Sequence, residues 1–248
     1  MKIFNKRFVL AVSVLFFSSC SVLDHDPQSS IVPDQAFDSE ASVRTAVVGL
    51  YHRLQSDDYY GASFQYTSDN YTDISTYGGF LTEYKEADEK ALPTTNTLVK
   101  NIWLGVYRVI NGANEIIDGV PGVEDADFTD EEKTEIISEA KCIRALGYLD
   151  LLVHYGEHWD VSSEYGLPLI TNSTNSDYAN IDFVSRSSVQ ETYNLILNDL
   201  ESAEVGLPES ANRTVATKAL AQSLLARTHL HMKDYASAIN YSSLVIDN

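Results

Sequence analysis

Apolar residues recur along this chain at helical spacing and almost nowhere at the two-residue alternation of a strand. Val43, Ala46, Val47, Leu50, Tyr51 and Leu54 sit at offsets 0, 3, 4, 7, 8 and 11, one stripe of a helix, with Asp38 and Ser39 ahead as caps. A second stripe runs through Val99, Ile102, Trp103, Val106, Tyr107, Ile110, Ala113 and Ile117 and stops at Gly119 and Pro121. A third opens on a capping box, Thr129 with Glu132, and proceeds through Ile136, Ala140, Arg144, Tyr148, Leu152 and Tyr155 to Gly156. A fourth starts at Ser187 or Ser188, with Gln190 or Glu191 as the box partner, and carries Val189, Tyr193, Ile196, Leu197, Leu200 and Ala203 before Pro208. Two more helices are predicted over roughly Thr214 to Met232 and from Tyr235 onward. Six helices without a strand signal predict an all-α protein.

The final pair has the spacing of a tetratricopeptide unit: Leu225, Ala226 and His229, a turn at Lys233 and Asp234, then Ala238. Small residues at Ala226 and Ala238 would let the backbones approach, with Tyr235 and Ile239 filling the space beside them. Two stretches, Asp57 to about Asn96 and Glu157 to Ser185, carry no helical period. Long loops of that kind tend to be functional when ordered, so function is sought there first.

The first 20 residues change the picture. Lys2, Lys6 and Arg7 precede an apolar run from Phe8 to Phe17, then Ser18, Ser19 and Cys20. The run is too short for a bilayer, which needs about 20 apolar residues, and fits an export signal over 1–19. Small residues before Cys20 predict a lipoprotein, with acyl chains on that thiol burying methylenes at about 0.8 kcal/mol each. Polar residues with Pro27 and Pro33 make 20–38 a tether, leaving 39–248 as the helical body. Cys142 is then the only other cysteine, so no intrachain disulfide is available, and its helical setting reads as a small buried hydrophobe.

The formal net charge is −19; removing three of the 17 basic residues with the signal leaves 14 against 36 acidic, a net −22. Such a surface repels phosphate backbones and disfavours a nucleic-acid partner.

Four segments then align in order: Trp103 to Tyr107 with Ile110 and Asn114; Glu139 to Gly156; Ser188 to Pro208; Ala216 to Asp247. With Cys20 ahead of them, they resemble the landmarks of the SusD/RagB family of outer-membrane nutrient-uptake proteins across essentially the whole mature chain. The resemblance implies a tetratricopeptide-like scaffold with long loops, lipid-anchored at the outer membrane and facing the exterior. It implies a non-catalytic protein that binds oligosaccharide and delivers it to a TonB-dependent (SusC-like) barrel transporter, without a cofactor. Family members usually continue into a long C-terminal region that supplies much of the glycan surface, whereas this sequence stops at Asn248. That leaves an alternative, a helical protein-interaction scaffold on the transporter with ligand binding lost through truncation, and an apolar solenoid face left open.

Eight aromatics crowd the first long loop: Tyr59, Tyr60, Phe64, Tyr66, Tyr71, Tyr77, Phe80 and Tyr84. Sugar C–H faces pack on aromatic planes while carboxylates and amides bond the hydroxyls, which makes Asp69, Asn70, Tyr71, Tyr77 and Phe80 the glycan-contact candidates. Gly78 and Gly79 would let a ligand approach the backbone. The same rings could instead pin the loop to the helices. Arg144, on an apolar stripe, needs a carboxylate from Asp150, Asp199 or Glu201. His154 and His158 lie four apart without a third metal ligand in view, and Asp125, Asp127, Asp130, Glu131 and Glu132 lack the pattern of a calcium loop. No phosphate cradle, nucleophile elbow or zincin motif is present. A carboxylate pair for glycoside hydrolysis could hide among 36 acids, but nothing singles one out.

Overall fold

A computed structural model describes residues 37–72, 74–173, 184–209 and 214–247. Cys20, the signal and nearly all of the tether lie outside them. Among the described residues there are eight α-helices and no strand: α1 (Glu40–Leu54), α2 (Ser63–Tyr71), α3 (Thr82–Asp88), α4 (Thr97–Gly119), α5 (Asp130–Tyr155), α6 (Val189–Gly206), α7 (Lys218–His231) and α8 (Tyr235–Ile246). The protein is all-α, and none of these helices is long and apolar enough to cross a membrane.

The helix starts follow from side-chain caps, each contributing about 1 kcal/mol. Ser39 caps α1 with Ser42 closing the box, Asn96 caps α4, and Thr129 with Glu132 opens α5. Ser188 with Glu191, not Ser187, begins α6. Thr217 caps α7, whose first residue, Lys218, lies four past the expected Thr214, and Asp234 caps α8. Part of the acidic run turns out to be structural: Asp125 Oδ2 accepts the Glu40 N–H at 3.0 Å, satisfying an otherwise unpaired donor at the start of α1.

The first loop differs from its reading. It contains two short helices, α2 and α3, whose leading residues Ala62 and Leu81 make no side-chain cap bond. Nothing local announces them; packing against each other and on α4 holds them.

The longer helices pack in sequence, α1 on α4, α4 on α5, α5 on α6, α6 on α7 and α7 on α8. One core runs through the stack, from Val43 and Leu50 by Val106, Ile110 and Leu152 to Ile196 and Leu225. Each such side chain contributes roughly 1.5–3 kcal/mol by leaving water. Gly147 lets α5 lie close on α4, since a Cβ there would lie 3.1 Å from Ile110 Cγ1. Cys142 is fully buried, and burial pushes its thiol up to about 12, an inert core group.

Arg144 finds Asp199. Its Nε and Nη2 donate to the two carboxylate oxygens at 2.7 and 2.8 Å, and Nη1 donates to Asn114 Oδ1 at 2.9 Å and Thr171 O at 3.2 Å. The pair ties α5 to α6 and catches the segment that follows Leu167. That segment is also held by Tyr107 Oη donating to Pro168 O and by Tyr148 Oη, which exchanges bonds with Ile170.

The last helix pair departs from expectation on one face. Ala238 is buried between α7 and α8, but Tyr235 and Ile239 are exposed and line an open groove of about 540 Å³ instead of filling it. Leu230 and Ile246 are exposed as well. At the turn, Lys233 adopts φ 64°, with the Asp234 N–H returning to His229 O. The end of α3 repeats this geometry, with Lys90 at φ 57° and the Ala91 N–H returning to Glu86 O.

Candidate functional site

The aromatic loop resolves into an anchored inner group and an open outer one. Tyr59 is fully buried and its hydroxyl donates to Asp150 Oδ2 at 2.5 Å; Tyr60 donates to the same oxygen at 2.7 Å. Phe64 packs edge-on to both rings and against His154. Burial, opposed by the two phenol donors, keeps the Asp150 carboxyl above its ordinary range, while burial and the adjacent carboxylate raise Tyr59. Asp150 is therefore spoken for by tyrosines and is not the partner of Arg144.

His154 completes the footing. Its Nδ1 donates to Asp150 O at 2.8 Å and its Nε2 meets Ser68 Oγ at 3.1 Å. His158 faces His231 instead, ring centroids 5.1 Å apart, so the two histidines do not converge. Among the described residues no group of three metal-binding side chains is placed to hold an ion.

The candidate contacts fall out as follows. Phe80 is 87% exposed, Tyr71 46% exposed, and Asp69 is also open to solvent. Tyr66, which shares α2 with Asp69 and Tyr71, is exposed too. Asn70 is buried, its Oδ1 accepting from Ser75 Oγ at 2.8 Å, which ties the loop to the end of α2. Tyr77 is half-buried, stacked on Tyr84 at 5.2 Å and 22°, and its Oη accepts the Leu81 N–H. Gly79 serves that ring: a Cβ there would lie 2.3 Å from Tyr77 Oη, whereas Gly78 faces open space. Asn70, Tyr77 and Gly79 thus shape the loop, and Asp69, Tyr71 and Phe80 present it.

A groove of about 640 Å³ that apolar spacing does not announce runs along the outer face of α4, lined by Trp103, Tyr107 and Asn111, by Arg53 and Arg108, and by Pro168 and Ile170. Trp103 and Tyr107 pass for core positions by spacing. Their neighbours at i+4 and i+8, polar at Asn111, were the available sign of a second, wetter face.

A family model, SusD-like and described as "Starch-binding associating with outer membrane", matches residues 22–230. The chain belongs to the SusD-like family. It is 27% identical to SusD-like protein P2 of Formosa agariphila over 252 residues, 100% of this chain and 47% of that one. It is 30% identical to SusD-like protein P25 of the same organism over 257 residues, 97% of this chain and 45% of that one. A SusD superfamily protein from Bacteroides vulgatus superposes with a TM-score of 0.75 at 23% identity, over 85% of this chain and 47% of that chain. One from Bacteroides thetaiotaomicron gives 0.72 at 26%, over 84% and 46%. This SusD-like chain thus spans less than half the length of the relatives it matches.

Proposed function

We propose that the protein captures oligosaccharides outside the cell and passes them to a TonB-dependent barrel transporter. In this reading residues 1–19 are removed, Cys20 carries acyl chains in the outer membrane, 20–38 tether, and the body from 39 binds. The observation that carries the binding step is the exposure of Tyr71 and Phe80 on a loop whose inner rings are locked to Asp150, in a chain whose family is described as starch-binding. Apolar rings held out in water are suited to the C–H face of a sugar, with the exposed Asp69, two residues before Tyr71, to accept hydroxyl donors. The role is binding, not turnover.

The test is native electrophoresis through gels containing soluble polysaccharides. A stacked ring contributing about 1.5 kcal/mol corresponds to roughly tenfold in affinity, so Tyr71→Ala with Phe80→Ala should remove retardation while helicity stays unchanged. Undiminished retardation of the double variant would end the assignment of this loop. A second reading, a scaffold that docks protein, rests on the open groove between α7 and α8 with Leu230, Tyr235 and Ile239 exposed. It gains if no polysaccharide retards the unsubstituted protein.

A further inference from the structure

The groove along α4 combines two chemistries. Its floor is aromatic, Trp103 and Tyr107 one turn apart with ring centroids 4.9 Å from each other, and outside the lining Tyr155 backs Trp103 edge-on at 5.1 Å. Its lining also includes two guanidiniums, Arg53 from α1 and Arg108 from α4, in a chain of net charge −19. The second wall, Pro168 to Ile170, is fixed by Tyr107, Tyr148 and Asn114, so the groove is built, not a chance gap between side chains.

The arginines have capacity to spare. Among the described residues, Arg53 bonds through Nη1 alone, donating to Glu115 Oε2 at 3.2 Å and Arg108 O at 3.4 Å. Arg108 is 68% exposed and its Nη1 stands 3.8 Å from Asp58 Oδ2, too long for a hydrogen bond. A guanidinium has five N–H donors, and its flat edge matches a carboxylate bidentately. Position is enforced at Arg53: a Cβ on residue 112 would lie 2.1 Å from its Nη1, so Gly112 is what lets the guanidinium lie across α4. Two guanidiniums over an aromatic floor, engaged by Glu115 and Asp58 only in part, suit an anion attached to a flat apolar ring.

We propose that this groove binds a sugar unit bearing a carboxylate, its C–H face on Trp103 and Tyr107 and its carboxylate on Arg108, with Arg53 in support. The inference deepens the capture reading and rests on it: it names acidic oligosaccharides as the ligand class and adds a site distinct from the aromatic loop. The loop lies at the N-terminal end of the same helix, where Asn96 Nδ2 donates to Glu83 O and Glu86 Oε2 of α3. Trp103 follows seven residues on, about 10 Å along the axis, so one extended glycan could touch both.

The chain has two tryptophans, Trp103 and Trp159. Trp159 is exposed, and Trp159→Phe leaves Trp103 as the sole reporter. In that background, tetragalacturonate and the matched neutral galactotetraose are titrated against tryptophan emission. The acidic ligand should bind at least tenfold more tightly, the advantage should shrink with added salt, and Arg108→Gln should abolish it. Phe80→Ala should lower both affinities and leave their ratio intact. Equal affinity for the two ligands, or a preference that survives Arg108→Gln, overturns the proposal while glycan capture stands. Failure of both ligands and of every polysaccharide in the gels removes the capture reading as well.

Discussion

Replacing Asp199 with alanine tests how the stack is held and carries a calculable cost. The Arg144 and Asp199 side chains keep only 7% and 5% of their exposure, so the pair is dry. Asp199→Ala deletes both carboxylate acceptors and leaves the guanidinium with Asn114 Oδ1 and Thr171 O, two neutral acceptors. Arginine stays charged even inside proteins, so the loss is that of an uncompensated buried cation, about 3–5 kcal/mol, against a total stability of ~5–15 kcal/mol. Arg144→Met combined with Asp199→Leu removes both charges and fills the space with apolar atoms. It should sit within about 2 kcal/mol of the parent, whereas Arg144→Met and Asp199→Leu alone, each leaving one buried charge unpaired, should each lose about 3–5 kcal/mol, a coupling of ~4 kcal/mol or more. Urea unfolding followed by circular dichroism at 222 nm measures all the variants. A loss below about 1 kcal/mol for Asp199→Ala, or a double variant as unstable as the singles added together, would refute the claim that Asp199 is what keeps Arg144 tolerable in the core.

Acidification should destabilise the protein through two histidines. Burial holds His158 and His231 below the ordinary 6.5, so the unfolded chain takes up their protons first; stability is level above that value and falls as pH drops below it. Asp150 and Glu139, held above the ordinary carboxyl range by burial, act with the opposite sign at lower pH. The histidine effect is therefore read as the difference in melting temperature between the parent and His158→Gln from pH 7.5 to 5.5; parallel curves would dismiss it. Lys90→Gly should stabilise by about 1 kcal/mol, because Lys90 holds a left-handed φ of 57° that glycine adopts without a Cβ penalty. Thermal melts should show a rise of roughly 2–4 °C, and a fall would mean that the lysine side chain outweighs its backbone strain.

What the sequence made legible follows physical rules. Every helix that begins on Ser39, Asn96, Thr129, Ser188, Thr217 or Asp234 carries a side-chain cap, and the apolar period marks each of them in the sequence. Helices α2 and α3, of nine and seven residues and started by Ala62 and Leu81, escaped because they are shorter than the window that reveals a period and have no cap. Arg144 announced a need for a carboxylate, but the choice of Asp199 depends on α6 lying along α5 and on Asp150 being taken by tyrosines about ninety positions away. For the same reason neighbouring rings looked alike: Tyr59 is an anchor and Phe80 is free, a difference set by tertiary contacts. The α4 groove was hidden because its walls come from α1, α4 and the segment after Leu167.

Tyr59 and Tyr60 converging on one carboxylate give the loop a root in the scaffold. A surface rooted in this way has little wandering left to surrender when a guest arrives, so more of the contact energy survives as affinity. Loosening that root, for instance with Asp150→Ala, should therefore slacken the grip of Phe80 on its ligand without touching any ring that meets it.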